Sequence, residues 1–331
     1  MNKNYFRLYY KCISAIIAIM VCLISGTLGE GGQAEAEGPN VVIDQSGRRI
    51  SVEKPFKRII SLYGAHTENL FSLGLDHGII GVSRHESHPK RALEKPIFSY
   101  HDDPEKFLAA RPDLVIVRPM IDRGYPQFIK RLEKSGIAVV SLQPSTVGEM
   151  YTYWKTLGIL TGRQTQADEM IDCFKRKIKN FQALEAKIEV KKKVYFEAIH
   201  SKMKTFSPDS MAIFVLETAG GINVAEDAKP VRNTNIAAYG KERILSHAKY
   251  IDVYLSQSGA MNRPTISMIK NEPGFSIIKA VYNNQIFIID EQIVSRPTLR
   301  LLDGIGEIGK FLYPDVYNTE QARLATAGGD D

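Results

Sequence analysis

At 331 residues the chain is long enough for two ordinary domains, each with its own core. Hydrophobic residues make up 44% and charged residues 24%, which excludes both a disordered chain and a protein of many membrane spans. The formal charge is only +6 and no basic run exceeds the lysine triplet within 190–194, so nucleic acid is a poor partner and a solvated helix end accounts for those lysines.

At the N-terminus, Lys3, Arg7 and Lys11 precede an apolar run at 12–29, and a small-residue stretch closes on Ala34, Glu35 and Ala36. A basic region, an apolar region and an A-x-A site read together as a secretory signal over 1–36, with Gly29 as an earlier cleavage point. An uncleaved membrane anchor is the rival reading, because about 18 apolar residues are just enough to span a bilayer. Cys22 invites a lipoprotein reading, but Val21 before it is larger than such a site needs. Removing 1–36 takes away three basic and two acidic groups and leaves +5. Cys173 is then the single cysteine, so no internal disulfide is expected, and on a helical pattern it reads as core.

The mature chain opens with a short hairpin around Gln45, Ser46 and Gly47 and a buried strand at 58–62. Helix 67–73, strand 78–82, helix 104–110, strand 114–117, helix 125–135 and strand 138–142 follow. Strands separated by helices of this length imply βαβ units and a mainly parallel sheet. Met150, Trp154 and Leu157, then Met170, Ile171, Phe174, Ile178, Phe181, Leu184 and Ile188, recur at helical spacing. Gly158 and Gly162 are expected to divide this stretch into a shorter helix and a long one from Thr165. Some 25 residues at about 1.5 Å each make the second roughly 35–40 Å long.

Alternation then restarts with strand 194–198, helix 210–219, a turn at Gly220 and Gly221, helix 241–248 and strand 251–255. Helix 265–271, strand 285–289 and a closing helix 301–312 complete the chain. The expected architecture is α/β: two similar lobes with mainly parallel sheets, joined by one long helix, with a ligand cleft between the lobes. The boundaries read as 1–36 signal, 37–146 N-terminal lobe, 147–190 connecting helices, 191–318 C-terminal lobe and 319–331 flexible tail.

Ligands of parallel α/β sheets bind beyond the carboxyl ends of the strands. In the first lobe that rule selects Tyr63, His66, Arg84, His85, Tyr100, His101, Arg118 and Gln143. In the second it selects His200, Lys202, Gln257 and Arg296, with Arg232 added from the loop at 227–240. The set is cationic and aromatic with few acids. Arginine forks match carboxylates and other oxygen-rich anions, and aromatic faces cover flat surfaces. For any single arginine, a surface ion pair explains it equally well.

Several segments carry a family resemblance. KRIISLYGAHTENLFSLGL, GIIGVS, EKFLAARPDLVIV and KSGIAVVSL resemble the first lobe of periplasmic substrate-binding proteins of ABC importers for iron–siderophore, haem or cobalamin. VYFEAI, ETAGGINVAED, KERIL and NEPGFSIIKAVYNNQIFIIDEQIVSRP resemble the second. The resemblance implies a monomeric carrier without intrinsic cofactor, which binds a metal chelate and delivers it to a permease dimer with its ATPase subunits. A ferric siderophore leads; a corrinoid or haem is the alternative.

The resemblance also implies that Glu105 and Glu242, each at a helix start, dock the permease. A helix dipole alone would equally favour an acid at each position. If the cargo is haem, Tyr100 or His101 is the candidate axial ligand. Bare-metal binding is a weaker reading, because the second lobe offers only His200 and His247. A membrane-anchored sensor ectodomain survives if the signal is not cleaved. An enzyme is not expected: the chain has no G-x-S-x-G elbow, Walker loop, H-E-x-x-H or G-x-G-x-x-G.

Overall fold

The computed structural model describes residues 40–231 and 234–319. The signal reading at 1–36, Arg232 and the tail from 320 lie outside the described residues.

The chain enters through a hairpin of β1 (Asn40–Ile43) and β2 (Arg49–Val52), turned at Gly47 with φ of 80°. The first lobe follows as β3 (Ile59–Ser61), α1 (Gly64–Ser72), β4 (Ile79–Val82), α2 (Pro104–Ala110) and β5 (Leu114–Val117). It closes with α3 (Pro119–Gly124), α4 (Pro126–Lys134) and β6 (Ala138–Ser141). Its four strands run in the order β4-β3-β5-β6, every pair parallel.

Two helices follow, α5 (Val147–Thr161) and α6 (Gln164–Glu185). Only one of the two glycines breaks the stretch. Gly162 caps α5 in the left-handed region with φ of 67°, where other residues are strained. Gly158 stays helical, and its missing side chain lets the helices touch: a Cβ there would lie 2.9 Å from the Ala167 Cβ. The 22 residues of α6 extend over about 33 Å.

The second lobe comprises β7 (Lys193–Ile199), β8 (Lys204–Phe206), α7 (Met211–Thr218), β9 (Ile222–Asn223), β10 (Lys229–Pro230) and β11 (Ile236–Ala238). It continues through α8 (Lys241–Ser246), β12 (Val253–Ser258), α9 (Ile266–Asn271), α10 (Lys279–Tyr282) and β13 (Ile286–Asp290). The helices α11 (Glu291–Val294), α12 (Leu301–Leu312) and α13 (Pro314–Tyr317) end it. Its sheet has the order β10-β11-β8-β7-β12-β13, with β9 beside β7. The centre, β7-β12-β13, is parallel, as the alternation predicts. The edge β8-β11-β10 is antiparallel and was not foreseen, because strands of two or three residues leave too short a pattern to read.

Side-chain alternation along the central strands builds the core. Ile59, Leu114, Ile116, Val194, Phe196, Val253 and Leu255 join one continuous cluster that also holds Trp154, Phe174 and Phe181 of α5 and α6. The opposite faces are private to each lobe: Ile60, Val115 and Val117 pack on Phe107 and Phe128, while Tyr195 and Tyr254 pack on Phe275. The strands are therefore buried on both sides, as parallel strands are. One core runs through both lobes along the connecting helices.

Candidate ligand-binding site

Parallel pairing puts the carboxyl ends of β3, β4, β5 and β6 along one edge of the first lobe, and those of β7, β12 and β13 along one edge of the second. Side chains of both lobes meet across these edges. Arg296 and Arg300 reach Glu68 of α1, and Asn69 donates from Nδ2 to the Pro297 carbonyl at 2.9 Å. The residues between the edges form the candidate site.

Tyr63 leaves β3 in extended conformation and caps α1. The Arg118 guanidinium, just past β5, lies over its ring with Cζ 4.4 Å from the centroid. Burial pushes the Tyr63 phenol up, opposed by the positive charges of Arg118 and Arg296. Arg118 Nη2 lies 2.9 Å from the Met120 sulfur, while its Nε is buried without a hydrogen-bond partner among the described residues. A buried, unmatched guanidinium N–H is costly unless something accepts from it. Arg118 is thus the cation of this site that fits an incoming oxygen.

Arg296 arrives from the second lobe and rests against Gly64, where a Cβ would lie 2.4 Å from Nη1. It is not unmatched, for its Nη1 is 3.3 Å from Glu68 Oε1. Glu86 and Glu291 also stand at strand ends. Glu86 Oε1 accepts from the Ser83 amide at 3.2 Å, and burial raises its carboxyl above the usual range. Glu291 accepts the Ala260 amide at 3.2 Å. The expectation of few acids therefore needs correcting. Glu68, Glu86 and Glu291 face Arg118, Arg296 and Arg300, so the floor is mixed in charge, not cationic.

Three aromatic rings gather at the rim of the first lobe. Tyr100 and His101 have centroids 4.3 Å apart, and Tyr125 lies 4.7 Å from the first and 5.1 Å from the second. The Tyr125 hydroxyl is 3.3 Å from His101 Nδ1, which leaves Nε2 as the outer nitrogen. Tyr125 was missed because it opens a helical pattern, although the proline after it marked a helix start. Arg84 and His85 are exposed in the loop after β4. Asp102 is held below the usual carboxylate range mainly by Lys106, with a smaller contribution from Arg84, so Arg84 belongs to this rim.

Other candidates are displaced. His66 is fully buried: Nδ1 is 2.7 Å from the Tyr153 hydroxyl and Nε2 is 3.3 Å from the Val117 carbonyl. A carbonyl only accepts, so Nε2 carries the proton and the ring is neutral; burial lowers its pKa to about 3. His66 is a core residue, not a ligand contact. His200 is buried as well, with Nδ1 2.8 Å from Glu197 Oε2, and that hydrogen bond raises its pKa. Glu197 also accepts from Tyr254 at 2.5 Å and Ser256 at 2.6 Å, so His200 completes an internal network and is not offered to the cleft. Gln257 is spent on Ala198 and Ser295, and Gln143 engages Gln45 through its backbone. Lys202 is exposed in the turn between β7 and β8.

Glu105 is exposed in the first turn of α2 and pairs with Arg131 at 2.7 Å. Glu242 is exposed in the first turn of α8 and makes no ion pair among the described residues. No group of three or more His, Cys, Asp or Glu side chains able to hold a metal ion occurs among the described residues. Among the same residues no helix is long and apolar enough to cross a membrane.

Comparison with known proteins finds matches over most of the chain. Residues 59–293 match the sequence profile of the family described as periplasmic binding protein. An uncharacterized ABC transporter substrate-binding lipoprotein of Bacillus subtilis is 25% identical over 285 residues, covering 84% of this chain and 87% of that one. A vitamin B12-binding protein of Vibrio cholerae is 24% identical over 265 residues, covering 78% and 91%. The crystal structure of a possible iron-binding, periplasmic solute-binding protein from Staphylococcus epidermidis superposes with a TM-score of 0.69 at 29% identity, covering 78% of this chain and all of that one.

Proposed function

The chain belongs to the periplasmic binding protein family, and we propose that it is an extracytoplasmic carrier that captures an anionic metal chelate between its lobes. It then delivers the chelate to an ABC-transporter permease. The carrying observation is the Arg118 guanidinium stacked on Tyr63 with its Nε buried and unmatched among the described residues, while Arg296 of the second lobe acts on the same phenol. Aromatic area covers the chelate's organic shell, while Arg118 and Arg296 meet its outward oxygens where water is partly excluded. A ferric siderophore fits this composition. A corrinoid offers amide oxygens to the same groups, and the B12-binding relative of Vibrio cholerae favours that alternative. For haem, Arg118 would hold a carboxylate and the Tyr100, His101 and Tyr125 rim would face the ring, with Tyr100 or His101 on iron.

Lobe boundaries near 146 and 191, a monomeric carrier, an exported location and a non-enzymatic role belong to the same reading. So does docking through Glu105 and Glu242, which stand exposed at corresponding helix starts of the two lobes. Native mass spectrometry of the protein purified from cells grown on a mixed supply of chelates tests the proposal. A co-purifying species is expected whose mass fits a metal chelate, with the isotope pattern of iron or with the exact mass of a cobalt corrinoid. A metal-free sugar or peptide in the cleft would overturn it.

A further inference from the structure

Glu68 of α1 has a side chain only 3% exposed, and two arginines of the other lobe converge on it. Arg300, which caps α12, meets both carboxylate oxygens: Nε to Oε2 at 2.9 Å and Nη2 to Oε1 at 2.8 Å. Arg296 meets one of them, at 3.3 Å. A two-point fork satisfies both the charge and the lone pairs of a carboxylate, so Glu68 stays paired whether or not Arg296 remains. Secondary contacts follow Arg300 rather than Arg296. Arg300 Nη2 also donates to Gln292 Oε1 at 3.1 Å, and Ser87 of the first lobe donates to the same oxygen. The carbonyl of Pro297, between the arginines, accepts from Asn69 at 2.9 Å and from Trp154 at 3.2 Å.

We propose that Glu68 is the positioning residue of the cleft: with Arg300 it latches the two lobes together, and it holds Arg296 beside Tyr63 as the cation that transfers to an anionic group of the cargo. The latch stands independently of the carrier reading; the transfer rests on it. Arg296 meets Glu68 through one nitrogen at 3.3 Å, beyond the usual range of such a bond, so it is the weaker of the two arginine contacts. An incoming carboxylate or hydroxamate oxygen can take its place, and Glu68 is not stranded when Arg296 moves, because Arg300 keeps both carboxylate oxygens.

Lobe spacing can be read without cargo from spin labels at Lys130→Cys and Lys249→Cys, exposed positions on opposite lobes. The parent chain for this measurement has Cys12, Cys22 and Cys173 replaced by serine. Glu68→Gln and Arg300→Met are expected to broaden a narrow distance distribution, while Arg296→Met leaves it unchanged. Arg300→Met keeps Arg296 as a partner for Glu68, so the test survives if Glu68→Gln fails to fold. With haemin, cyanocobalamin and the trianionic ferric enterobactin as probes, Arg296→Met should weaken whichever binds by about tenfold, the loss of one charged hydrogen bond. Unchanged spacing in Arg300→Met, or equal broadening in Arg296→Met, would overturn the latch. Full affinity in Arg296→Met would overturn the transfer. Should the parent bind none of the probes, the carrier reading fails and the distances still decide the latch.

Discussion

His66 and Arg118 stand close together and have opposite fates. Both follow a strand end, yet α1 begins at Gly64, so its first turn swings His66 inward onto Tyr153 and Val117 while Tyr63 stays at the edge. Position after a strand was legible in the sequence; the direction of a side chain within the first helical turn was not, because the helix starts three residues before its apolar pattern does. The same limit hid Glu86, in a loop without periodicity, and Glu291, which opens a helix of only four residues.

The burial of His66 has a measurable consequence. Its folded pKa, about 3, lies below the unfolded value near 6.5, so between those pH values the unfolded chain takes up a proton that the folded chain refuses. Stability contributed by the neutral ring is complete above that window and declines as pH falls through it. His200 acts in the opposite sense: its raised pKa stabilises the folded state at low pH and is lost as pH rises through the folded value. Comparing the native chain with His66→Gln cancels the His200 effect. From pH 7 to 5 the native chain is expected to lose roughly 2 kcal/mol more than the variant, read by urea unfolding. Equal losses would contradict a neutral, buried His66.

At the scale of elements, long periodic segments were legible and short ones were not. The helices α5 and α6 follow from apolar spacing, and Gly162 separates them as expected. Gly158 misled because a glycine in a helix signals either a break or a close neighbour, and only the packing of Ala167 against it decides. The helix α3 went unread because Pro119 opens it and only Ile121 is buried, too little for a pattern. Two further glycines make a paired test. In α12 a Cβ at Gly304 would lie 2.1 Å from the Ile293 carbonyl oxygen, which is backbone and cannot easily yield. At Gly64 the obstacle is the tip of Arg296, which can. Gly304→Ala should therefore destabilise the fold by about 1–3 kcal/mol or more, as overpacking does. Gly64→Ala should leave the melting temperature nearly unchanged and alter ligand affinity instead. Similar melting temperatures for the two variants would refute this distinction.

At the scale of the molecule, the continuous core through Trp154, Phe174 and Phe181 ties both sheets to the same two helices, and the Glu68–Arg300 contact joins their edges. Lobes held in this way suit a carrier whose loaded state differs little in shape from its free state. Recognition by a permease would then depend on surface groups that both lobes present at once. Glu105→Arg with Glu242→Arg is expected to abolish uptake in cells while leaving chelate affinity intact, since both side chains are exposed and outside the cleft. Lost affinity in the double variant would contradict the docking role. Two lobes and their order were legible because βαβ alternation is a long-range pattern. The identity of the cargo was not, because the scaffold motifs fix the strands, whereas single side chains in loops line the cleft.

Trp154 reports on the central claim, because it is fully buried and its indole nitrogen donates to Pro297, at the junction of the lobes. The most direct measurement is a titration of the protein with ferric siderophores, cobalamin and haem, followed by Trp154 fluorescence and visible absorption. One of the three classes is expected to bind saturably at one equivalent, and Arg118→Gln should weaken it by about tenfold or more. No saturable binding of any of them, or binding that Arg118→Gln leaves intact, would contradict a chelate carrier built around this cleft.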